Sequence, residues 1–419
     1  MEGINFSMEP TKQKIIGEKG LVILIALLSA FVPLSTDLYL PALPTMSAFF
    51  GVGPERTNLT LTLFFVFYAL GTLIWGPLSD HFGRKPILAT GLGIYIIASL
   101  GCVFASSIDA LIIFRIFQAL GGSAAGAVAT AIVKDSYSGK KRMSILAIVQ
   151  SMVLISPALA PVLGAFLLKV MSWRGVFMTL TGIGVLALIG SLLFTESILE
   201  RNAGSLLPSM LRLGHVLKNR GFAMLLIMFS IGSLSTMAFV ASSTYIYQEG
   251  FHLSGQAYSL YFSLNAIGLI LGPMIFLRLS HRVHSETIIR VCYMVIAIGG
   301  VLVCLLGNLQ PWIFALCMLP VSTAGSCFRS PATNMLLEQQ KRDSGAVSSL
   351  MGCTAMLMGS LGTQIISQPW NNMILALGVM IISTASIALI SWPFVITRVI
   401  RLPSLKEQSL QPSESVEVG

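Results

Sequence analysis

Charge is what this sequence has least of. Only 10% of its 419 residues are Asp, Glu, Lys or Arg, while 55% are hydrophobic. A soluble domain carries roughly 25% charged residues, so this chain lacks the polar groups to cover a water-facing surface. That excludes a soluble globular protein and leaves a polytopic membrane protein whose partner is the lipid bilayer. Acid is scarcer than base, with 17 Asp and Glu against 26 Lys and Arg, a net charge of +9. The excess does not read as a nucleic-acid footprint. The basic residues lie in loops between apolar segments, where orientation rules place them. The six cysteines (Cys102, Cys292, Cys304, Cys317, Cys327 and Cys353) lie in or beside apolar segments and form no CxxC pair. Neither a metal site nor a disulfide framework is expected. There is no P-loop, so ATP hydrolysis by this chain is not expected. Gly91-Leu-Gly93 sits inside an apolar run, without the strand–turn–helix context of a nucleotide site. No cluster of His, Asp and Ser shares a depth, so no catalytic residue is assigned and the chain does not read as an enzyme. His81, His281 and His284 fall in loops, as solvated charge.

What the chain does have is apolar length. A span needs about 20 apolar residues, and twelve candidates follow one another: 20–41, 58–78, 87–106, 109–133, 143–169, 174–194, 221–247, 256–279, 287–307, 311–337, 345–367 and 372–397. The first run follows a polar stretch with three lysines. It is too long for a signal peptide and no small-residue cleavage site follows it, so it is read as a retained span. Loop charge sets the orientation. Lys12, Lys14 and Lys19 precede the first span. Alternate loops then carry Arg84 and Lys85; Lys134, Lys140, Lys141 and Arg142; Arg201, Arg212, Lys218 and Arg220; Arg282 and Arg290; and Lys341 and Arg342. The other loops hold only Arg56, Lys169 and Arg174. Both termini are therefore expected on the cytoplasmic side of a bacterial inner membrane.

Residues 195–220 form the longest hydrophilic stretch between spans, with six spans on either side. The expected division is a six-helix bundle over 1–194, a cytoplasmic linker over 195–220, a second bundle over 221–397 and a disordered cytoplasmic tail over 398–419. The halves share local patterns, as a duplicated unit would. Leu73-Ile-Trp-Gly76-Pro77 recurs as Leu269-Ile-Leu-Gly272-Pro273, and Gly122-Ser123-Ala124 has a weaker echo in Gly325-Ser326-Cys327.

The densest polar cluster of the first hundred residues is Gly76-Pro-Leu-Ser-Asp80-His-Phe-Gly83-Arg84-Lys85-Pro86. Its glycines and prolines suit a tight turn at the water boundary. It reads either as a solvated basic loop or as the gating loop of a transporter. Charges inside spans are costly and are functional candidates. Asp37 lies about 25 Å along the first span and Arg115 about 27 Å from the cytoplasmic end of the fourth, at roughly 1.5 Å per residue. At similar depth they could interact directly or through Gln118, with proton coupling as the role. The alternative for Asp37 is a helix-end cap near Pro41 and Pro44. Arg329, near the cytoplasmic end of the tenth span, either snorkels to the interface or lines a cavity. In the fifth span Pro157 and Pro161 remove two backbone donors and kink the helix. That kink serves either rocking of the helix or a fixed bend.

Together these residues resemble the major facilitator superfamily. The Gly76–Lys85 stretch is similar to its loop signature between spans two and three. Arg115-Ile-Phe-Gln118-Ala-Leu-Gly121 resembles the span-four motif of drug:proton antiporters, and Ser156–Gly164 resembles their span-five motif. That last match departs from the pattern: Ala160-Pro161 stands for Gly-Pro and Ala165 for the final Gly. Thr36-Asp-Leu-Tyr-Leu-Pro-Ala-Leu-Pro44 is similar to the bicyclomycin/chloramphenicol resistance branch. The resemblance implies an all-α fold of two six-helix bundles around a central cavity that alternates between inward- and outward-facing states. It implies proton-coupled efflux of lipophilic drugs, with the proton as coupling ion, no other cofactor, and a monomer. Asp37 would take the proton beside Arg115, and Pro157, Pro161 and Gly164 would form the antiporter motif. Gly76, Asp80, Gly83, Arg84 and Lys85 would gate, with Asp80 near a helix N-terminus of the other half in the outward-facing state. Tyr39, Tyr68, Gln118 and Arg329 are candidate cavity residues. The alternatives are an exporter of a metabolite or sugar on the same fold, and a non-transporting membrane sensor.

Overall fold

The computed structural model describes residues 13–198, 213–214, 216–339 and 344–397. Most of the expected linker and the whole expected tail lie outside the described residues. Among those described, helix is the only regular secondary structure. With no water in a bilayer core to satisfy backbone groups, apolar segments of this length must satisfy them internally, as helices do.

Among the described residues, eleven helices are long and apolar enough to cross a membrane, and a bent pair supplies a twelfth span. Span 1 is that pair, Gly17–Ser29 and Phe31–Phe50, bent by 42°. The others are span 2 (Pro54–Phe82), span 3 (Arg84–Phe104), span 4 (Ile108–Ser136), span 5 (Gly139–Val170), span 6 (Trp173–Leu193), span 7 (Arg220–Gly250), span 8 (Gly255–Leu279), span 9 (Ser285–Leu306), span 10 (Pro311–Glu338), span 11 (Gly345–Ile366) and span 12 (Met373–Val395). The end bearing the span 2–3, 4–5 and 8–9 joints is called here the basic end.

Packing repeats between the halves. Span 3 lies against spans 4 and 6, and span 9 against spans 10 and 12. Span 2 lies against span 4, and span 8 against span 10. Across the middle, span 5 meets span 8 and span 11 meets span 2. Of the echoed residues, Ser123 and Ser326 each meet a glycine of the neighbouring span, while Gly76 has open space around it. A Cβ on Gly71 of span 2 would overlap the Ser123 hydroxyl of span 4, and one on Gly272 of span 8 would overlap the Ser326 hydroxyl of span 10.

Two expectations change. The Gly76–Pro86 stretch is not a loop: span 2 continues as helix through Pro77 to Phe82, and span 3 starts at Arg84. Only Gly83 breaks the helices, at φ +104°, a backbone conformation that favours glycine. Span 1 is not one helix. It stops at Asp37 and resumes as a 3-10 turn over Leu40–Ala42 and a helix over Leu43–Phe50. Pro41 and Pro44 supply the reason, because neither has an N–H to continue the ladder.

Candidate functional site: a held break in span 1

Asp37 is the last residue of the helix Phe31–Asp37 and is 7% exposed. Its Oδ1 accepts a hydrogen bond from the Thr36 hydroxyl at 3.0 Å. Three other elements grip the backbone carbonyls around it. On one side, Arg115 Nη1 of span 4 donates to the Ser35 carbonyl at 3.0 Å. Just past Asp37, Gly164 of span 5 lies so close that a Cβ there would overlap the Leu38 carbonyl. Further on, Thr244 Oγ1 of span 7 donates to the Leu40 carbonyl at 2.9 Å, and Gln248 Nε2 to the Pro41 carbonyl at 3.1 Å. A backbone break buried in lipid would leave carbonyls unsatisfied. It persists only where protein supplies the donors.

Of the two expected links between Arg115 and Asp37, direct contact is not among the described interactions. Arg115 is fully buried and makes no described contact with the Asp37 carboxylate. Its Nη1 donates to Gln118 Oε1 at 2.5 Å, and its Nε to the Thr60 carbonyl at 3.3 Å. Gln118 in turn donates to Ser99, so it leads away from Asp37. The guanidinium lies 4.5 Å from the Tyr39 ring centre and 4.2 Å from that of Phe64. Desolvated cation–π contacts of this kind contribute about 2 kcal/mol each, which offsets part of the cost of burying an unpaired cation. The described hydrogen bond of Arg115 nearest Asp37 in the chain is the one to the Ser35 carbonyl, two residues away.

This shell corrects the cavity assignment. Tyr39 and Gln118 are wholly buried around Arg115, with the Tyr39 hydroxyl 3.1 Å from Thr60 Oγ1. Tyr68 stacks on Phe64 and packs its hydroxyl over Gly126. Tyr39 and Gln118 are buried because the cation needs those neighbours, and Tyr68 is buried where span 2 packs on span 4. Arg329 differs. Span 10 breaks at Phe328, and Arg329 opens its second helix, Arg329–Glu338. Its side chain is exposed, unlike the three residues above.

At the basic end, Arg84 is buried and pairs with Asp80 at 2.6 Å and Asp135 at 2.9 Å, and donates to Ser79 at 2.6 Å. Glu196 accepts the Arg84 and Lys85 backbone N–H groups, both at 3.0 Å. A carboxylate there meets the positive end of span 3. Asp80's described partner thus comes from the first half. Asp135 and Glu196 were not singled out in the sequence. A carboxylate straight after span 6 and another closing span 4 were the available signal.

The halves meet through hydrogen bonds at the end opposite the basic one. Besides the Thr244 and Gln248 bonds, Asn58 donates to Ser367 at 2.8 Å, and the Thr62 and Thr363 hydroxyls lie 2.7 Å apart. Span 8 donates to span 5 from Gln256 to the Ala165 carbonyl (3.0 Å) and from Ser263 to the Ala158 carbonyl (2.6 Å). Ala158 lies in the turn that Pro161 loosens. Pro157, Pro161 and Gly164 lie on the helix that joins this seam to Asp37.

The model of the Major Facilitator Superfamily matches residues 25–363. A chloramphenicol resistance protein of Pseudomonas aeruginosa is 31% identical over 360 residues, 83% of each chain. A bicyclomycin resistance protein homolog of Haemophilus influenzae is 25% identical over 81% of this chain and 87% of its own. Among solved structures, a peptide transporter in complex with sulfate covers 95% of this chain and 97% of its own at TM-score 0.75 and 13% identity, a likeness of fold alone. With the repeated packing and the broken first span, these matches place the chain in the major facilitator superfamily, among the relatives of its bicyclomycin and chloramphenicol resistance transporters.

Proposed function

We propose that this protein exports lipophilic drugs across the bacterial inner membrane in exchange for protons, as a monomer, with Asp37 as the proton-carrying group. The observation that carries the reading is Asp37 itself, a carboxylate buried in the membrane at the end of a broken helix. An intramembrane carboxylate is costly and marks proton or substrate pathways. Its surroundings hold its backbone tightly and leave its carboxylate with one described donor, Thr36. Arg115 sets the geometry of that break and the local potential without neutralising the acid by contact.

The orientation follows from the basic end being cytoplasmic. In the closed seam on the far side and the gathered charges of the basic end we read an inward-facing state. Arg329 lines the route on the second half. Relatives named for resistance to chloramphenicol and bicyclomycin support a drug as substrate over a metabolite or sugar.

The test is uptake of labelled chloramphenicol into inside-out vesicles with an imposed proton gradient. Uptake that collapses with the gradient, and that Asp37→Asn lacks at equal protein level, supports the reading. Gradient-independent uptake, or uptake unchanged by Asp37→Asn, removes the proton or the residue from it. No uptake of any tested drug removes drug export.

A further inference from the structure

We propose that Thr244 and Gln248 of span 7 are positioning residues that link the closure of the far-side seam to the state of Asp37. This rests on the reading of Asp37 as the proton-carrying group. Pro44 has no N–H, so the Leu40 carbonyl lacks its i+4 donor. It keeps only the Leu43 N–H of the tight turn. Thr244, wholly buried, supplies a second donor from the other half at 2.9 Å. Gln248 lies one turn on and on the same helix face. Its Nε2 donates to both the Pro41 carbonyl and Thr244 Oγ1, the latter at 2.7 Å.

The helix is modified where the clamp sits. Span 7 ends in a π-turn over Ile246–Gly250, closed by Phe251 N–H to the Ile246 carbonyl at 2.9 Å. Such turns cost regular geometry and recur at functional positions. The Asn58–Ser367 and Thr62–Thr363 contacts tie spans 2 and 11 and make no described side-chain hydrogen bond to span 1. Thr244 and Gln248 instead hold the third and fourth residues past Asp37. When the halves part at this end, those two carbonyls lose their donors and the turn that fixes Asp37 is released. The seam and the acid then share one moving part.

The experiment is a mutant cycle on seam opening. In a variant lacking the six native cysteines, Met46→Cys is labelled from the outside with a membrane-impermeant maleimide, Met46 being wholly buried in this closed state. Four backgrounds are compared: intact, Asp37→Asn, Thr244→Val with Gln248→Leu, and the combination. The clamp predicts that Asp37→Asn changes labelling by roughly threefold or more when Thr244 and Gln248 are present, and leaves it unchanged when they are replaced. Thr244→Ser, which keeps the hydroxyl, retains the Asp37 effect. Equal Asp37→Asn effects in both backgrounds overturn the proposal, as does no Asp37 effect in the intact protein. Removal of the seam contact Thr62→Val serves as the comparison: it raises labelling and leaves the Asp37 effect in place. Labelling does not require drug transport, so a failed drug assay and a failed clamp are told apart.

Discussion

Arg115 ties together several elements around the first-span turn with no described contact to the Asp37 carboxylate. Its fork donates in two directions, to the Ser35 carbonyl and Gln118 on one nitrogen and to Thr60 on another, while its flat face lies against Tyr39 and Phe64. A lysine ammonium cannot reproduce that planar fork. Arg115→Lys is therefore expected to lower drug uptake in vesicles by about tenfold or more, the change that roughly 1.4 kcal/mol makes, while the protein still inserts. Uptake equal to the intact protein would show that charge alone suffices. In the sequence Asp37 and Arg115 stood out because a charge within an apolar run is visible by itself. Their lack of contact was not visible, because depth along two helices says nothing about which faces meet. Tyr39 and Gln118 were misplaced for the same reason: a polar or aromatic residue in a span suits a cavity wall and a buried shell equally well.

At the scale of the element, glycine and proline decide what each helix can do. Gly164 permits span 5 to reach the Leu38 carbonyl, and Gly362 of span 11 meets the Leu234 carbonyl of span 7 in the same way. A Cβ at either site overlaps backbone, which cannot swing aside. Gly164→Ala is expected to reduce uptake by about tenfold, whereas Gly182→Ala, with open space around it, leaves uptake unchanged. Equal effects would mean that helix propensity and not the contact matters. The second prediction concerns Glu196, which caps span 3. Glu196→Ala should cost about 1 kcal/mol, as loss of a helix cap does. It should appear as a lowered melting midpoint that Glu196→Gln partly restores. An unchanged midpoint would separate the cap from stability. Spans were readable from apolar length, since burial in lipid demands it. Their breaks were less so. The prolines around Asp37 and at 157 and 161 signalled disturbance, but the same signal at Pro77 gave a helix that simply continues. Whether a proline ends a helix depends on what satisfies the freed carbonyl, and that partner lies elsewhere in the chain.

The whole molecule is two similar sets of six spans joined along spans 2, 5, 8 and 11. The described hydrogen bonds of this seam gather at one end, so rocking one half against the other can part them, and among the groups it frees are the Leu40 and Pro41 carbonyls of span 1. Thr62 and Thr363 touch across the seam at 2.7 Å. Paired replacement Thr62→Cys with Thr363→Cys is expected to cross-link on oxidation, at the side-chain separations a disulfide accepts. Oxidation should then stop uptake and reduction restore it. Full transport by the cross-linked protein would mean that this seam never opens. The duplicated architecture was legible from span count and from Gly76-Pro77 and Gly272-Pro273. The state was not, because both states bury the same apolar residues and differ only in which polar ends meet.

The central claim is that Asp37 binds the proton that drug exchanges for. Its most direct test is drug-induced proton release from the purified, detergent-solubilised protein, read with a pH dye in weak buffer. A single exchanging carboxylate predicts release of about one proton per molecule on drug addition, and none from Asp37→Asn that still binds drug. Undiminished release from Asp37→Asn would contradict the account and place the exchanging proton elsewhere.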